Sequence, residues 1–407
     1  MADLLFLAHR IPYPPDKGDK IRSWNVLRHL AERYSVHLGC FVDDPDDRRH
    51  EASLRALCAD CHFARLGPYA SRLKGLGGLL DGAPLTLACY RDRGLAAWVG
   101  EVLGARRPAH IVVFSSAMAQ YALDDAAERA RRVIDFVDVD SDKWRQYAES
   151  RGWPARWVFG RESRRLLDFE RRVAGLFDAS VFVSEAEAAL FRRLAPESAA
   201  KVTHVDNGVD VAYFSPEHVF TSPFTGQGPA IVFTGAMDYW ANVDAVAWFA
   251  REVLPLVRRH LAEARFFIVG ARPAAEVRRL ARLPGVTVTG RVADVRPYLA
   301  AAAVVVAPLR VARGIQNKVL EAMAMARHVV VTPQALDGID AHADREVRLA
   351  TDPPGLAAAV VGLAAGDDGA MGRRARRRVV ARYTWGSTLA RLDAVLAGDI
   401  ARRQNVA

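Results

Sequence analysis

Val304–Ala326, VVVAPLRVARGIQNKVLEAMAMA, is the stretch that decides the fold. A short β-branched run opens it, a loop containing Gly314 follows, and an apolar pattern at helical spacing closes it. A continuous apolar strand feeding a helix through a glycine loop is the repeating step of a parallel sheet covered on both faces. The same step recurs along the chain. Strands are expected at Leu4–Ala8, Val36–Val42, Ile111–Phe114, Val133–Val137, Ala179–Val183 and Val202–Val205. A second set is expected at Ile231–Thr234, Arg265–Val269, Val286–Thr289, Val304–Ala307 and Val329–Thr332.

These two sets lie on either side of Ser215–Pro229, SPEHVFTSPFTGQGP, which is rich in Pro, Gly, Ser and Thr and has no apolar period. The predicted organisation is an N-terminal domain over 1–215, a linker over 216–229 and a C-terminal domain over 230–384. A last helix over 385–407, opened by Trp385, is expected to cross back to the first domain. A chain of 407 residues exceeds what one core supports, so two domains are expected on size alone. The expected fold class is α/β, two doubly wound domains facing a central cleft, with ligands at the carboxyl ends of the strands.

With 51% hydrophobic and 25% charged residues the composition is that of an ordinary globular protein. No apolar run is long enough to span a bilayer, and Leu4–Ala8 is too short for a signal peptide, so a cytoplasmic protein is expected. Cys40, Cys58, Cys61 and Cys89 are few, and Cys58-x-x-Cys61 has no second pair to complete a zinc site; these read as thiols near a helix end. The net charge of +9 favours anionic partners, but no nucleic-acid motif accompanies it. Only six of 56 basic residues are lysine: Lys17, Lys20, Lys74, Lys143, Lys201 and Lys318. Where arginine is the default cation, a lysine marks a place for a compact point charge.

In Val304–Ala326, Gly314 loosens the backbone where loop becomes helix, and the first-turn N–H groups favour an anion. Arg310, Arg313 and Lys318 add positive charge there. Glu321, two turns in, is placed to accept hydrogen bonds from two adjacent ribose hydroxyls.

Several stretches, in order, carry a resemblance. They are HRIPYPPDKGDKIR from His9, DFVDVDSDKW from Asp135, Asn207-Gly-Val-Asp210 and FTGAMDYWANVD from Phe233. Gly290-Arg-Val-Ala-Asp294, Pro308-Leu-Arg310 and Gly314–Ala326 complete the set. The second half resembles glycosyltransferase family 4, retaining enzymes of the GT-B fold with two Rossmann-like domains. The whole chain is similar to the sugar transferases associated with PEP-CTERM/exosortase exopolysaccharide systems.

That resemblance implies a nucleotide diphosphate-sugar donor and a glycan or polyprenyl-linked acceptor, with no cofactor and no metal. Glu321 matches the family glutamate that holds the ribose, and Lys318 is then a diphosphate ligand. Arg313 stands where relatives carry a sugar-binding glutamate, which leaves the sugar to the Gly314 and Ile315 N–H groups. Gly235 matches the strand glycine, but Ala236 and Asn242 replace the Arg and Lys that neutralise the diphosphate. Arg291, Arg310, Arg313 and Lys318 must supply that charge. The loop Pro12–Arg22 matches a glycine loop, with Gly18 and Lys20 approaching donor or acceptor. The family's front-face substitution needs no protein base, because the leaving phosphate takes the acceptor proton.

Among candidates for catalysis, Asp138 and Asp140 follow a strand end, where either is placed to orient the acceptor hydroxyl. The other reading is a Ser141 helix cap with solvated aspartates. His9 opens the glycine loop as a donor or acceptor contact. Asn207-Gly208 is read as a turn with φ > 0. Between Tyr69 and Val99, Leu73, Leu76, Leu79 and Leu80 offer a face for peripheral contact with an anionic inner membrane, or else core packing. A nucleotide-sugar epimerase of the same fold and an inactive nucleotide-sugar-binding partner of a polysaccharide synthase are the alternatives. A dinucleotide-dependent oxidoreductase is disfavoured, since no Gly-x-Gly-x-x-Gly follows a strand.

Overall fold

Residues 1–15, 18–67, 82–149, 151–226, 228–312, 314–366 and 369–399 are described by the structure, a computed structural model. They form two compact units. Unit 1 comprises Met1–Asp206 with the described residues from Leu389 on, and unit 2 comprises Asn207–Thr388.

Unit 1 is built on a seven-stranded sheet of β1 (Asp3–Ala8), β2 (Ser35–Val42), β3 (Asp60–Arg65), β4 (His110–Phe114), β5 (Arg131–Val137), β6 (Ala179–Phe182) and β7 (Val202–His204). The spatial order is β3-β2-β1-β4-β5-β6-β7, and every pair is parallel. Unit 2 holds β8 (Ala230–Thr234), β9 (Arg265–Val269), β10 (Val286–Gly290), β11 (Val304–Ala307), β12 (Val329–Val331) and β13 (Arg348–Leu349). Its order, β10-β9-β8-β11-β12-β13, repeats the pattern, again all parallel. In both sheets the order reverses beside the first strand, which is the doubly wound Rossmann arrangement.

Helices cover both faces, so the central strands are apolar on both sides. Leu4–Ala8 and Ile231–Phe233 are completely buried. All the expected strands are present. Two more, β3 and β13, lie at sheet edges, where a strand needs little apolar character. Asp60–Arg65 mixes exposed and buried positions, and Arg348–Leu349 is two residues long. Cys58 closes the helix Glu51–Leu57, and Cys61, expected near a helix end, sits in β3.

Within Ser215–Pro229, Phe224 packs its ring on Phe267 at 4.3 Å, so this segment is folded onto unit 2. Gly208 does not adopt the positive φ expected of it. A Cβ there would lie 2.6 Å from the Trp385 ring, so close approach, not turn conformation, requires glycine. The helix Trp385–Ala397 belongs to unit 2 up to Thr388 and to unit 1 from Leu389, and Leu389, Leu392, Val395 and Leu396 are buried. Leu73, Leu76, Leu79 and Leu80 lie outside the described residues. Downstream of them, Leu87, Leu95 and Val99 are buried in unit 1. Among the described residues no helix is long and apolar enough to cross a membrane.

Candidate active site

In unit 2 the strand order reverses between β8 and β11, and the crevice outside their carboxyl ends is where such sheets bind ligands. Gly235 leaves β8 at this point. A Cβ on it would meet Asn242 Nδ2 at 2.8 Å and Lys318 Cε at 3.5 Å. Gly270, at the end of β9, would drive a Cβ to 1.7 Å from the Gly235 carbonyl oxygen. The two glycines thus let backbone and side chains converge at the crevice. Asn242, buried on the helix Trp240–Trp248, donates from Nδ2 to the Ala236 carbonyl at 2.9 Å.

From β11 the chain passes through Gly314, whose φ of +61° is the left-handed conformation that favours glycine. Ile315 is buried and anchors the turn. The helix Asn317–Ala324 follows, and the side chain of its N-cap residue, Gln316, does not satisfy the first turn. Asn207 Nδ2 donates to Asn317 Oδ1 at 3.1 Å and holds that end in place.

Lys318 Nζ donates to Asn242 Oδ1 at 2.7 Å and lies 4.9 Å from the centre of the Phe233 ring. Glu321 stands one turn further on, and no described residue donates a hydrogen bond to its carboxylate. Burial pushes the Lys318 ammonium down to about 8, although Glu321 opposes this. Burial likewise lifts the Glu321 carboxyl to about 7, with Lys318 opposing. Two half-buried, oppositely charged groups with shifted titrations in a ligand crevice mark a functional site.

The guanidinium groups are placed differently. Arg310 is held by both Asp244 oxygens, its Nε at 2.9 Å, and lies over the Trp248 ring at 5.4 Å. It belongs to a separate depression of about 430 Å³, shared with Trp240, Arg251 and Glu276. The charge expected of Arg310 at the crevice is therefore engaged by Asp244. Arg291 is exposed just after Gly290, whose φ is +70°. Arg313 lies outside the described residues.

In unit 1 the order reverses between β1 and β4. His9, directly after β1, stacks on Phe114 at 5.7 Å and meets the Tyr90 ring edge-on at 6.0 Å. Its Nε2 is 3.3 Å from Asp19 Oδ2, and its Nδ1 is buried with no partner among the described residues. Burial would raise the Asp19 carboxyl, but His9 and Arg10 hold it well below the usual range. Gly18 opens the helix Gly18–Ala31. It is exposed, and a Cβ on it would meet no atom within 4 Å, so nothing local requires glycine.

Lys20 corrects the expectation made for it. Only 1% exposed, it bonds Asp47 Oδ2 at 2.6 Å, so its charge is taken up by a buried carboxylate within unit 1. Arg22 is likewise buried, against Asp135 at 2.8 Å.

At the end of β5, Val137 has a φ of +69°, a strained conformation for a β-branched residue. The register against β6 shifts at the same place. Asp138 and Asp140 follow, and Lys143 Nζ binds both, at 2.8 and 3.1 Å. Ser116 Oγ donates to Asp140 at 3.3 Å, and Asp138 Oδ1 is buried with no partner among the described residues. Ser141 does not cap the helix Asp140–Glu149 but donates to Glu170 Oε2 at 2.5 Å. Glu187 accepts the Val139 N–H at 2.8 Å.

Burial and Asp140 lift Glu170 to about 8, and burial and Asp138 lift Glu187 to about 7. Burial opposes the Lys143 charge, but Asp138 and Asp140 raise its pKa well above the ordinary value. Nothing in the sequence singles out Glu170 or Glu187, and it presents Asn242 only as a lost cation. Lys143 carries one usable signal, its rarity as a lysine. Among the described residues no group of three His, Cys, Asp or Glu is arranged to hold a metal ion.

Residues 228–365 match the family described as Glycosyl transferases group 1. No curated protein matches the chain in sequence. Similar solved structures include a glycosyltransferase from Rickettsia africae ESF-5, 13% identical with a TM-score of 0.67 over 99% of each chain. Anabaena HepE, solved with UDP and glucose, is 16% identical with a TM-score of 0.67, over 98% of this chain and 100% of that one. WaaG, a glycosyltransferase involved in lipopolysaccharide biosynthesis, is 16% identical with a TM-score of 0.66, over 96% and 99%. At such identities the likeness concerns the fold. The chain thus has the GT-B fold, two Rossmann-like domains, and within it residues 228–365 match the Glycosyl transferases group 1 family.

Proposed function

We propose that the protein is a retaining glycosyltransferase that moves a hexose from a nucleotide diphosphate-sugar to a hydroxyl of a glycan or lipid-linked acceptor. Exopolysaccharide synthesis at the cytoplasmic face of the inner membrane is the setting that the resemblance to PEP-CTERM-associated transferases favours. The observation that carries the reading is the Lys318–Asn242 hydrogen bond with Glu321 one turn away, at the reversal point of the unit 2 sheet.

Each group then has a task. Glu321, without a donor among the described residues, accepts hydrogen bonds from the two ribose hydroxyls. Lys318 lies against the diphosphate, and Asn242 orients it meanwhile. Departure of a nucleoside diphosphate concentrates negative charge on the β-phosphate, which a preorganised ammonium stabilises more in the transition state than in the ground state. Gly235 leaves room for the phosphates, and the Gly314 and Ile315 N–H groups face the sugar. Arg291 and Arg313 are assigned to the same anion, with Arg310 held back by Asp244.

In unit 1, Asp138, Asp140 and His9 are assigned to orienting the acceptor hydroxyl, whose proton passes to the leaving phosphate. Gly18, at the start of the helix Gly18–Ala31, is assigned to approaching the donor phosphate or the acceptor. No metal is assigned a role, so activity is expected to survive EDTA.

HepE, of the same fold, is solved with UDP and glucose, which makes UDP the first probe. Calorimetry of the wild type should show UDP binding, and Glu321→Ala should weaken it about 100-fold or more, the loss of two hydrogen bonds to a charged acceptor. Unchanged UDP affinity in that variant removes Glu321 from the donor site.

A further inference from the structure

Two of the most exposed large apolar side chains of the described residues lie close together in sequence. Trp153 is 85% exposed and Trp157 is 56% exposed. They belong to Arg151–Arg165, RGWPARWVFGRESRR, which holds five arginines and one acid. That acid, Glu162, is fully buried and accepts the N–H groups of Leu85 and Thr86 at 2.6 and 2.9 Å, so it adds no negative charge at the surface.

Helix Ala155–Leu176 explains how the surface is sorted. Its buried positions, Glu162, Leu166, Glu170, Val173 and Ala174, recur at three- and four-residue spacing and form the face that packs into unit 1. Trp157, Arg161 and Arg164 recur at the same spacing on the opposite face. Arg151, Arg156, Arg164 and Arg165 are exposed, and Trp153 stands just before the helix begins.

An exposed indole is unfavourable in water without a partner, and two of them beside four exposed guanidinium groups are more than scattered surface residues. Tryptophan and arginine together suit the boundary between lipid and water. The indole is amphipathic and sits at headgroup depth, while guanidinium groups bind lipid phosphates. Nucleic acid would use the charge, but would give the exposed indoles a role only by base stacking, and no aromatic-basic strand platform accompanies them.

We infer that Arg151–Arg165, with the outward face of the first turns of helix Ala155–Leu176, forms a docking surface for an anionic bilayer, with Trp153 and Trp157 entering the headgroup layer and the arginines binding lipid phosphates. It gives the membrane contact of the proposed function a location, different from the leucines expected from sequence. The lipid source is the bilayer itself, not a soluble phosphate.

The test uses the full-length protein and vesicles of phosphatidylcholine, alone or with about one third phosphatidylglycerol. Wild type should sediment with the anionic vesicles and not with phosphatidylcholine alone. Trp153→Ala/Trp157→Ala should lower partitioning about tenfold or more. Arg164→Ser/Arg165→Ser should lower it roughly twentyfold at low salt, about fivefold per arginine. All four side chains are at the surface, so melting temperatures should match the wild type.

Absence of wild-type binding to anionic vesicles overturns the inference. So does wild-type binding by the tryptophan variant, which would leave charge alone as the cause. A loss on single-stranded oligonucleotide equal to the loss on vesicles would reassign the surface to nucleic acid. UDP calorimetry on the same variants keeps the two readings separate, since both pairs belong to unit 1 and the Lys318 crevice to unit 2.

Discussion

Lys318 reaches from its helix to Asn242 on the neighbouring one, Nζ to Oδ1 at 2.7 Å, and so brings an ammonium to a loop whose Gly235 and Ala236 carry no charge. Lys318 Cε lies 3.5 Å from where a Cβ on Gly235 would stand, so the side chain runs beside that loop. Lys318→Met should weaken UDP about 10- to 100-fold and leave uridine unchanged, read by calorimetry. Equal losses for the two ligands would show that Lys318 does not contact phosphate. Asn242→Ala, which only frees the lysine, should weaken UDP by less than about tenfold.

The same pair sets a pH window. Glu321 titrates near 7 and Lys318 near 8, and binding needs the carboxylate ionised and the amine protonated. UDP affinity should therefore peak between these values, fall on the acid side as Glu321 gains a proton, and fall on the alkaline side as Lys318 loses one. Glu321→Gln should remove the acid limb and preserve the alkaline one.

Glu170 makes stability depend on pH. Its folded pKa, about 8, lies above the ordinary 4.5, so the folded state binds the extra proton across that interval. Its stabilising effect is fully present below about pH 4.5 and is lost as the pH rises through about 8. Glu187 and Glu321 act in the same direction up to about 7. Lys318, with its pKa lowered to about 8, acts oppositely, adding stability only above that value. Glu170→Gln should flatten the dependence, and at pH 8.5 should exceed the wild type by about 1–3 kcal/mol in urea denaturation. A variant with the wild-type slope between pH 5.5 and 8.5 would place the titration elsewhere.

Two glycine substitutions should have opposite signs. Gly270→Ala puts a methyl 1.7 Å from the Gly235 carbonyl oxygen, where only backbone movement relieves it, and should lose roughly 3 kcal/mol or more. Gly100, within the helix Arg93–Ala105, has no atom within 4 Å of the same position. Gly100→Ala should add about 0.5–1 kcal/mol through helix propensity. Thermal melts of both, with UDP binding for the first, measure them.

Apolar runs made the central strands legible, because a strand covered on both faces must be apolar throughout. The edge strand Asp60–Arg65 has one cysteine, one phenylalanine and four other residues, and such a pattern does not distinguish it from a loop. Lys318 and Glu321 could be found from their place after a glycine loop. Lys20 and Arg310 carried the same sequence signal, a cation in a candidate loop. What separates them is the partner, Asp47 at 27 residues' distance and Asp244 at 66. A cation is available to a ligand only when the folded chain leaves it so, and contacts of that range leave no trace in local pattern. Ser141 shows the same limit, since the carboxylate that displaced its capping role, Glu170, comes from the next helix.

The last helix has a consequence in time. Unit 1 has all seven strands by His204, yet several of its contacts come from residues beyond Thr388: Asp393 on His29 at 2.8 Å, and the Val395 carbonyl on Arg131 at 3.0 Å. On a ribosome these residues emerge only after the whole of Asn207–Thr388 has been made. The first sheet to be synthesised is thus the last to be finished, and it waits with Leu389, Leu392, Val395 and Leu396 missing from its surface until translation has passed them.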